Sequence, residues 1–410
     1  MPTSDPFGVQ GERSIAKSKI RTVFTPHTPV NSVELFLGRT EEVKSIVAQI
    51  NTPGQHCLLF GDRGVGKSSL ANIATVILFD TRIVKGQLYR RRCDSSSTFD
   101  SILAGPLRDI GVDINVAKRV DNHQEGGTAS VGIPGFGAGI KSDRTLSKET
   151  QGMLGKVSPS VACEHLKGHK GLLVVDELDA IRSADEKWRF AEFIKQLSDE
   201  DAVFKVLGVG IAKTATDLTA GHPSVGRCLK ETKLGRMHEA ELRQVIARGA
   251  MTLKIKYESN VTDAIVKLSD GYPHFTHLLA LKSGERAIAE DRKIINMEDL
   301  NNALSSAAMD AEGTLRNIYK DATVSQSTDM YKQIVCAGAT IREHEFGADD
   351  LREAIRRHTG ADITQGTLNN YLKRLVSDDG DTIFKRRMKG VYAFNDPRMA
   401  SYVRIANKLL

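Results

Sequence analysis

The sequence predicts an α/β fold: a P-loop core with a parallel sheet, an all-helical lid and a C-terminal winged helix-turn-helix. Three observations carry this. A glycine-rich loop, Gly61-Asp62-Arg63-Gly64-Val65-Gly66-Lys67-Ser68, stands between a short apolar run (Cys57 to Phe60) and a helix opening at Ser69. A second apolar run, Leu172-Leu173-Val174-Val175, ends in Asp176-Glu177. Beyond about residue 235 strand patterns cease, leaving helical periodicity and then three helical stripes before a hairpin with a basic turn.

Taken in order, residues 1–33 are polar, carry Pro2, Pro6, Pro26 and Pro29, and show no sustained periodicity, so they read as an irregular arm. Val43, Ile46, Val47 and Ile50 then mark a helix, which Pro53-Gly54 closes. The loop that follows fits the Walker A pattern at every fixed position. Phosphate oxygens must be met by several backbone N–H groups at once, and Gly61, Gly64 and Gly66, with Val65 between them, allow so tight a curl. Lys67 is placed to reach the β- and γ-phosphates and Ser68 to hold Mg²⁺, while Ser69 opens a helix whose N-terminus favours an anion.

Residues 113–150 read as an insertion, with a glycine-rich hairpin or loop around Pro134-Gly135 and the cations Lys141, Arg144 and Lys148 beside it. The run ending in Asp176-Glu177 is a buried strand carrying a Walker B sequence. Asp176 would hold the metal through water, and Glu177 would orient and deprotonate the attacking water. A helix (Phe190, Phe193, Ile194, Leu197) and a strand (Phe204 to Val209) continue the core. The expected organisation is an arm (1–33), a nucleotide-binding core (34–236), a helical lid (237–320) and a winged-helix domain (321–410).

Composition bounds the class. The 410 residues suffice for two or three domains, and the hydrophobic and charged fractions, 40% and 26%, are those of an ordinary globular chain. Five scattered cysteines without a CxxC pair argue against a disulfide frame or a zinc site, and point to a reducing, cytoplasmic setting. No apolar run approaches the roughly 20 residues a membrane span needs. The net charge of +6 is only mildly basic.

The order of these pieces resembles the AAA+ (ASCE) ATPases of the origin-recognition and Cdc6-like group, and equally the STAND signalling ATPases. The resemblance covers about residues 33–400 and implies an ATP hydrolase, with ATP rather than GTP and Mg²⁺ as cofactors, that oligomerises when ATP-bound. Phe36-Leu37-Gly38-Arg39 looks like the element that packs near the adenine. His222-Pro223-Ser224-Val225-Gly226-Arg227 falls where relatives place an arginine finger. Arg227 is the implied catalytic arginine, Arg236 its competitor, and an internal ion pair the plainer role for either. The usual polar sensor falls near Ile211, leaving Lys213 or Thr214 as substitutes. In the lid, Gly271-Tyr272-Pro273-His274 is a G-x-P motif of the STAND type, which implies a base contact for Pro273 and a phosphate contact for His274. A site lacking one sensor implies slow hydrolysis.

Residues 364–408 hold nine Lys or Arg against four Asp. On the third helical stripe Gln365, Asn369, Asn370 and Lys373 lie off the apolar face, and Lys385, Arg386, Arg387 and Lys389 form the wing tip. Double-stranded DNA fits that pattern. A partner protein, or autoinhibitory packing on the ATPase domain, fits it as well, and Tyr392-Ala393-Phe394-Asn395-Asp396-Pro397 resembles the terminal strand of such archaeal and bacterial ATPase modules. Two readings therefore stand: a DNA-coupled ATP switch and a STAND-type signalling or defence ATPase.

Overall fold

Apolar runs bounded by turn residues become the strands of the sheet, and the stripes at helical spacing become the helices around it. The computed structural model describes residues 12–114, 151–153, 156–211, 216–218, 224–376 and 382–410. In chain order the elements are α1 (Glu12–Val23), α2 (Thr40–Asn51), β1 (His56–Gly61), α3 (Lys67–Asp80), β2 (Gln87–Arg92), α4 (Phe99–Asp109), β3 (Val112–Ile114), β4 (Gln151–Met153), α5 (Pro159–Leu166), β5 (Gly171–Asp176), α6 (Ala184–Asp199), β6 (Phe204–Gly210), α7 (Val225–Cys228) and β7 (Leu229–Leu234). After them come α8 (Glu239–Leu253), β8 (Lys256–Tyr257), α9 (Ser259–Ser269), α10 (Pro273–Ala289), β9 (Ile294–Ile295), α11 (Met297–Asp310) and α12 (Gly313–Thr323). The chain ends with α13 (Met330–Thr340), β10 (Glu345–Gly347), α14 (Ala348–Thr359), α15 (Gln365–Leu375), β11 (Phe384–Met388), β12 (Val391–Phe394) and α16 (Met399–Ala406).

The main sheet has five strands in the order β2-β5-β6-β1-β7. β5 pairs in parallel with β2 on one side and β6 on the other. Buried on both faces, β5 and β6 read as continuous apolar runs, whereas β2, at an edge, presents Arg90, Arg91 and Arg92. The chain forms two compact units. One contains residues 49–58 and 82–231; the other contains residues 1–48, 59–81 and 232–410, and so joins the glycine-rich loop, the lid helices and the C-terminal elements.

Two expectations change. Within residues 1–33, expected to be irregular, Glu12–Val23 form α1. Its sequence is polar, and tertiary packing stabilises it: Ile20, Val23 and Phe24 are buried, with Phe24 edge-on to Tyr257 and His277. The expected boundary at residue 321 falls inside α12. The C-terminal elements run helix, strand, helix, helix, strand, strand, with an antiparallel sheet in the order β10-β12-β11. Phe346, Phe384 and Phe394 form its aromatic core. The glycine-rich insertion and Lys141, Arg144 and Lys148 lie outside the described residues.

Candidate nucleotide site

The loop from Gly61 to Ser68 turns directly from β1 into α3, so the first N–H groups of that helix face the loop's interior. A Cβ on Gly61 would lie 2.2 Å from the Leu234 carbonyl oxygen, so no larger residue fits there. Gly64 has φ +79°, a conformation that L side chains rarely adopt. Lys67 Nζ folds back over the loop and donates to the carbonyl oxygens of Gly61 (3.0 Å) and Asp62 (2.7 Å). Such bonds hold an ammonium where phosphate oxygens can replace the carbonyls. The cradle a Cβ would fill, the helix start without a side-chain cap and the ammonium folded over the loop together fit a polyphosphate. Ser69 Oγ accepts from the Val30 N–H (3.0 Å), tying the arm to the start of α3.

The lid and the C-terminal elements close on this loop within the same unit. Pro273, at the start of α10, stands with Cγ 3.6 Å from where a Gly66 Cβ would be. Arg398 lies against Gly64, its Cδ 2.9 Å from the position of a Cβ there, and is 5% exposed. Its guanidinium is paired bidentately with Asp396 (3.1 and 2.7 Å) and with Glu312. Burial opposes the charge on Arg398, but these two acids outweigh it and hold its pKa above the ordinary value. A second knot joins the lid to α16: Asp270 Oδ2 accepts from Arg236 Nη1 (2.7 Å) and Arg404 Nη2 (2.8 Å). Arg236 also lies over the buried Tyr272 ring, 4.6 Å from its centroid. Beside the knot is a cavity of about 210 Å³ whose lining includes Asp62, Arg236, Asp270, Arg342, Lys385 and Arg404.

The acidic pair belongs to the other unit. Asp176 ends β5, and its Oδ1 accepts from the Glu177 N–H (2.9 Å). Glu177 leaves the strand at φ +56°. Arg92 at the end of β2 is in register with Asp176 and clamps Glu177: Nε to Oε2 at 2.9 Å and Nη2 to Oε1 at 2.6 Å. These hydrogen bonds raise the Arg92 pKa. Nothing local in the sequence singled out Arg92, because strand register is a tertiary property.

Residues 29–282, more than half of the chain, match the family described as Novel STAND NTPase 1. The chain belongs to this STAND family. Among solved structures, the ORC2 protein of Aeropyrum pernix is similar at 14% identity and TM-score 0.51, over 95% of this chain and 98% of that one. A Walker-type ATPase of Pyrococcus abyssi is similar at 17% and 0.49, over 93% and 99%. Cdc6p of Pyrobaculum aerophilum is similar at 13% and 0.48, over 95% and 98%. At these identities the likeness to ORC2 shows the fold alone. No curated protein matches the sequence significantly.

The remaining candidate residues of this STAND NTPase fall into distinct settings. Arg39 is a buried brace: its N–H donates to Glu241 Oε1 (2.9 Å), and its guanidinium bonds Glu42 (3.0 Å) and the Gly235 carbonyl (2.6 Å). Arg227, on the short α7, is exposed. Arg236 is engaged in the Asp270 knot, the internal ion pair that was its plainer role. Ile211 follows β6 directly, and Lys213 and Thr214 lie outside the described residues. Of the basic residues near the C-terminus, Lys373, Arg386 and Lys389 are exposed, whereas Lys385 lines the cavity and Arg387 pairs with Glu345 (2.7 Å). Arg398 and Arg404 spend their charge on acids of this same unit. The exposed cationic surface is therefore smaller than the count of nine Lys or Arg implies. Among the described residues, no helix is long and apolar enough to cross a membrane.

Proposed function

We propose that this STAND NTPase is an ATP-dependent switch whose C-terminal domain, a winged helix-turn-helix, closes over the nucleotide site. The observation that supports this reading most directly is Arg398 seated against Gly64 in an acid cage, beside the Arg236–Asp270–Arg404 knot. Through these contacts the α16 end of the chain and the loop share one fate, so a change at the loop is felt by the C-terminal domain.

In this reading the main-chain N–H groups from Gly61 to Ser68 cradle the phosphates, and Lys67 exchanges its carbonyl partners for phosphate oxygens. Ser68 and Asp176 are the residues that would hold Mg²⁺. Bound Mg-ATP supplies the phosphoanhydride bond and the negative charge. Glu177 takes the proton from the attacking water, which requires its release from Arg92, and slow turnover follows. Exposed Arg227 serves as an arginine finger toward a neighbouring copy, so that hydrolysis occurs at a subunit interface.

DNA is the ligand we assign to the open state, because Gln365, Asn369, Asn370 and Lys373 stand exposed on α15 and Arg386 and Lys389 beside them in sequence at the wing. A second reading, contact with a partner protein, is favoured by the internal pairing of Arg387 and Arg398, which trims the cationic surface. Light scattering of the Glu177→Gln protein with Mg-ATP, with and without duplex DNA across a salt series, separates the two. Assembly that needs DNA and weakens by about 0.9 in log–log slope per phosphate contact supports DNA. Assembly indifferent to DNA supports the protein partner. The Lys67→Ala protein should lose tight Mg-ATP binding, and retained affinity refutes the P-loop assignment.

A further inference from the structure

We propose that His274 reads the base, its Nε2 accepting a hydrogen bond from the exocyclic amine of adenine and so setting a preference for ATP over GTP. The inference rests on the nucleotide-binding reading above and adds to it the residue that would select the base.

His274 follows Pro273, whose ring stands against Gly66 at the N-cap of α3. Its Nδ1 lies 2.8 Å from the Pro26 carbonyl oxygen. A carbonyl oxygen only accepts, so Nδ1 carries the proton. Burial is the largest influence on the ring and lowers its pKa below the ordinary value of 6.5. The imidazole is therefore neutral at pH 7, and Nε2 is left as a bare acceptor. That atom is buried and makes no hydrogen bond among the described residues. A buried acceptor without a donor is costly, so a ligand supplying one gains by it.

The chemistry of the missing donor narrows the ligand. Phosphate oxygens only accept, so a neutral imidazole with its proton on Nδ1 repels them from Nε2; the phosphate contact implied by the family resemblance does not suit this tautomer. Adenine presents an amine at the position where guanine presents a carbonyl oxygen, so one purine satisfies Nε2 and the other opposes it. The surroundings suit a base attached to phosphates held at the start of α3. The arm crosses from the lid to that helix: the Thr25 N–H donates to His277 Nδ1 (3.1 Å), the Val30 N–H donates to Ser69 Oγ, and Asn72 Nδ2 donates to Asn31 Oδ1 (2.7 Å). Thr25 Oγ1, on the same crossing, is also buried and finds no partner among the described residues. The arm and His274 thus place two unsatisfied polar atoms along the segment that links the lid to the phosphate-binding helix.

Calorimetric titration of the full chain with the Mg²⁺ complexes of ATP, GTP and purine riboside triphosphate, which is ATP without its amine, tests the assignment. The wild type should bind ATP about tenfold tighter than the purine riboside form, the worth of one hydrogen bond to an otherwise unpaired buried acceptor. GTP should bind more weakly still. His274→Phe should bring ATP down to the level of the purine riboside form while leaving that form's affinity within a few-fold of wild type. Equal wild-type binding of the two, or a preference that survives in His274→Phe, overturns the assignment. If the variant does not fold, the wild-type comparison alone decides. Failure of all three nucleotides to bind overturns the nucleotide reading itself, and this inference with it.

Discussion

Glu177 sits at the end of a buried strand with its carboxylate clamped by Arg92 from the neighbouring strand end. Both side chains are substantially exposed, so the pair is worth at most about 1 kcal/mol. In the proposed reaction Glu177 is the base, and a pair of that strength is enough to restrain it. Arg92→Ala should raise basal ATP turnover up to about fivefold, measured as phosphate release; unchanged or lower turnover would mean that Arg92 does not restrain Glu177. Two other residues set the response to acid. His56 and His277 are buried, and burial lowers their pKa values to about 3 and about 4. Their folded values lie below the unfolded value near 6.5, so between pH 6.5 and 4 the unfolded chain binds more protons. The stability they contribute is present above pH 6.5 and is lost as pH falls. Lowering the pH from 7 to 5.5 should cost about 2.5 kcal/mol in urea unfolding, and a flat response across that window would contradict the burial of neutral rings. The glycine-rich loop between β1 and α3 and the acids at the end of β5 were legible in the sequence because both patterns are set by local spacing. Arg92, Asp270 and Arg398 were not, because each acquires its role from a partner distant in the chain.

At the scale of elements, the buried strands and the lid helices followed directly from their apolar periods, and α3 from the loop that precedes it. The exception is α1, whose sequence is too polar to declare itself. Its anchor is Phe24, whose ring passes so close to Gly249 that a Cβ there would lie 2.3 Å from it. The sequence showed the phenylalanine, but not the glycine on a lid helix that receives it. Phe24→Ala should cost about 3–5 kcal/mol of stability and free the arm, seen as faster amide hydrogen exchange across residues 18–31. Exchange unchanged from wild type would mean that the arm is held by its polar bonds alone. The C-terminal elements were legible as three helices and a hairpin, whereas β10 and α16 were not, being a three-residue strand and a short terminal helix.

For the whole molecule, chain order is a poor guide to what shares a unit. The glycine-rich loop packs with the lid and with the last fifteen residues of the chain, while the acidic pair belongs to the other unit. Arg398 is where that long-range contact is made, and its charge is balanced by Asp396 and Glu312, neither of which neighbours the loop in sequence. If the C-terminal domain governs the loop, loosening this one residue should loosen the nucleotide. The most direct test is the dissociation rate of a fluorescent ATP analogue from wild-type and Arg398→Ala proteins, followed by stopped flow with excess ATP and Mg²⁺. Closure predicts release at least about fivefold faster from the variant, the effect of losing about 1 kcal/mol at the contact. An unchanged or slower rate from a folded Arg398→Ala protein would contradict it.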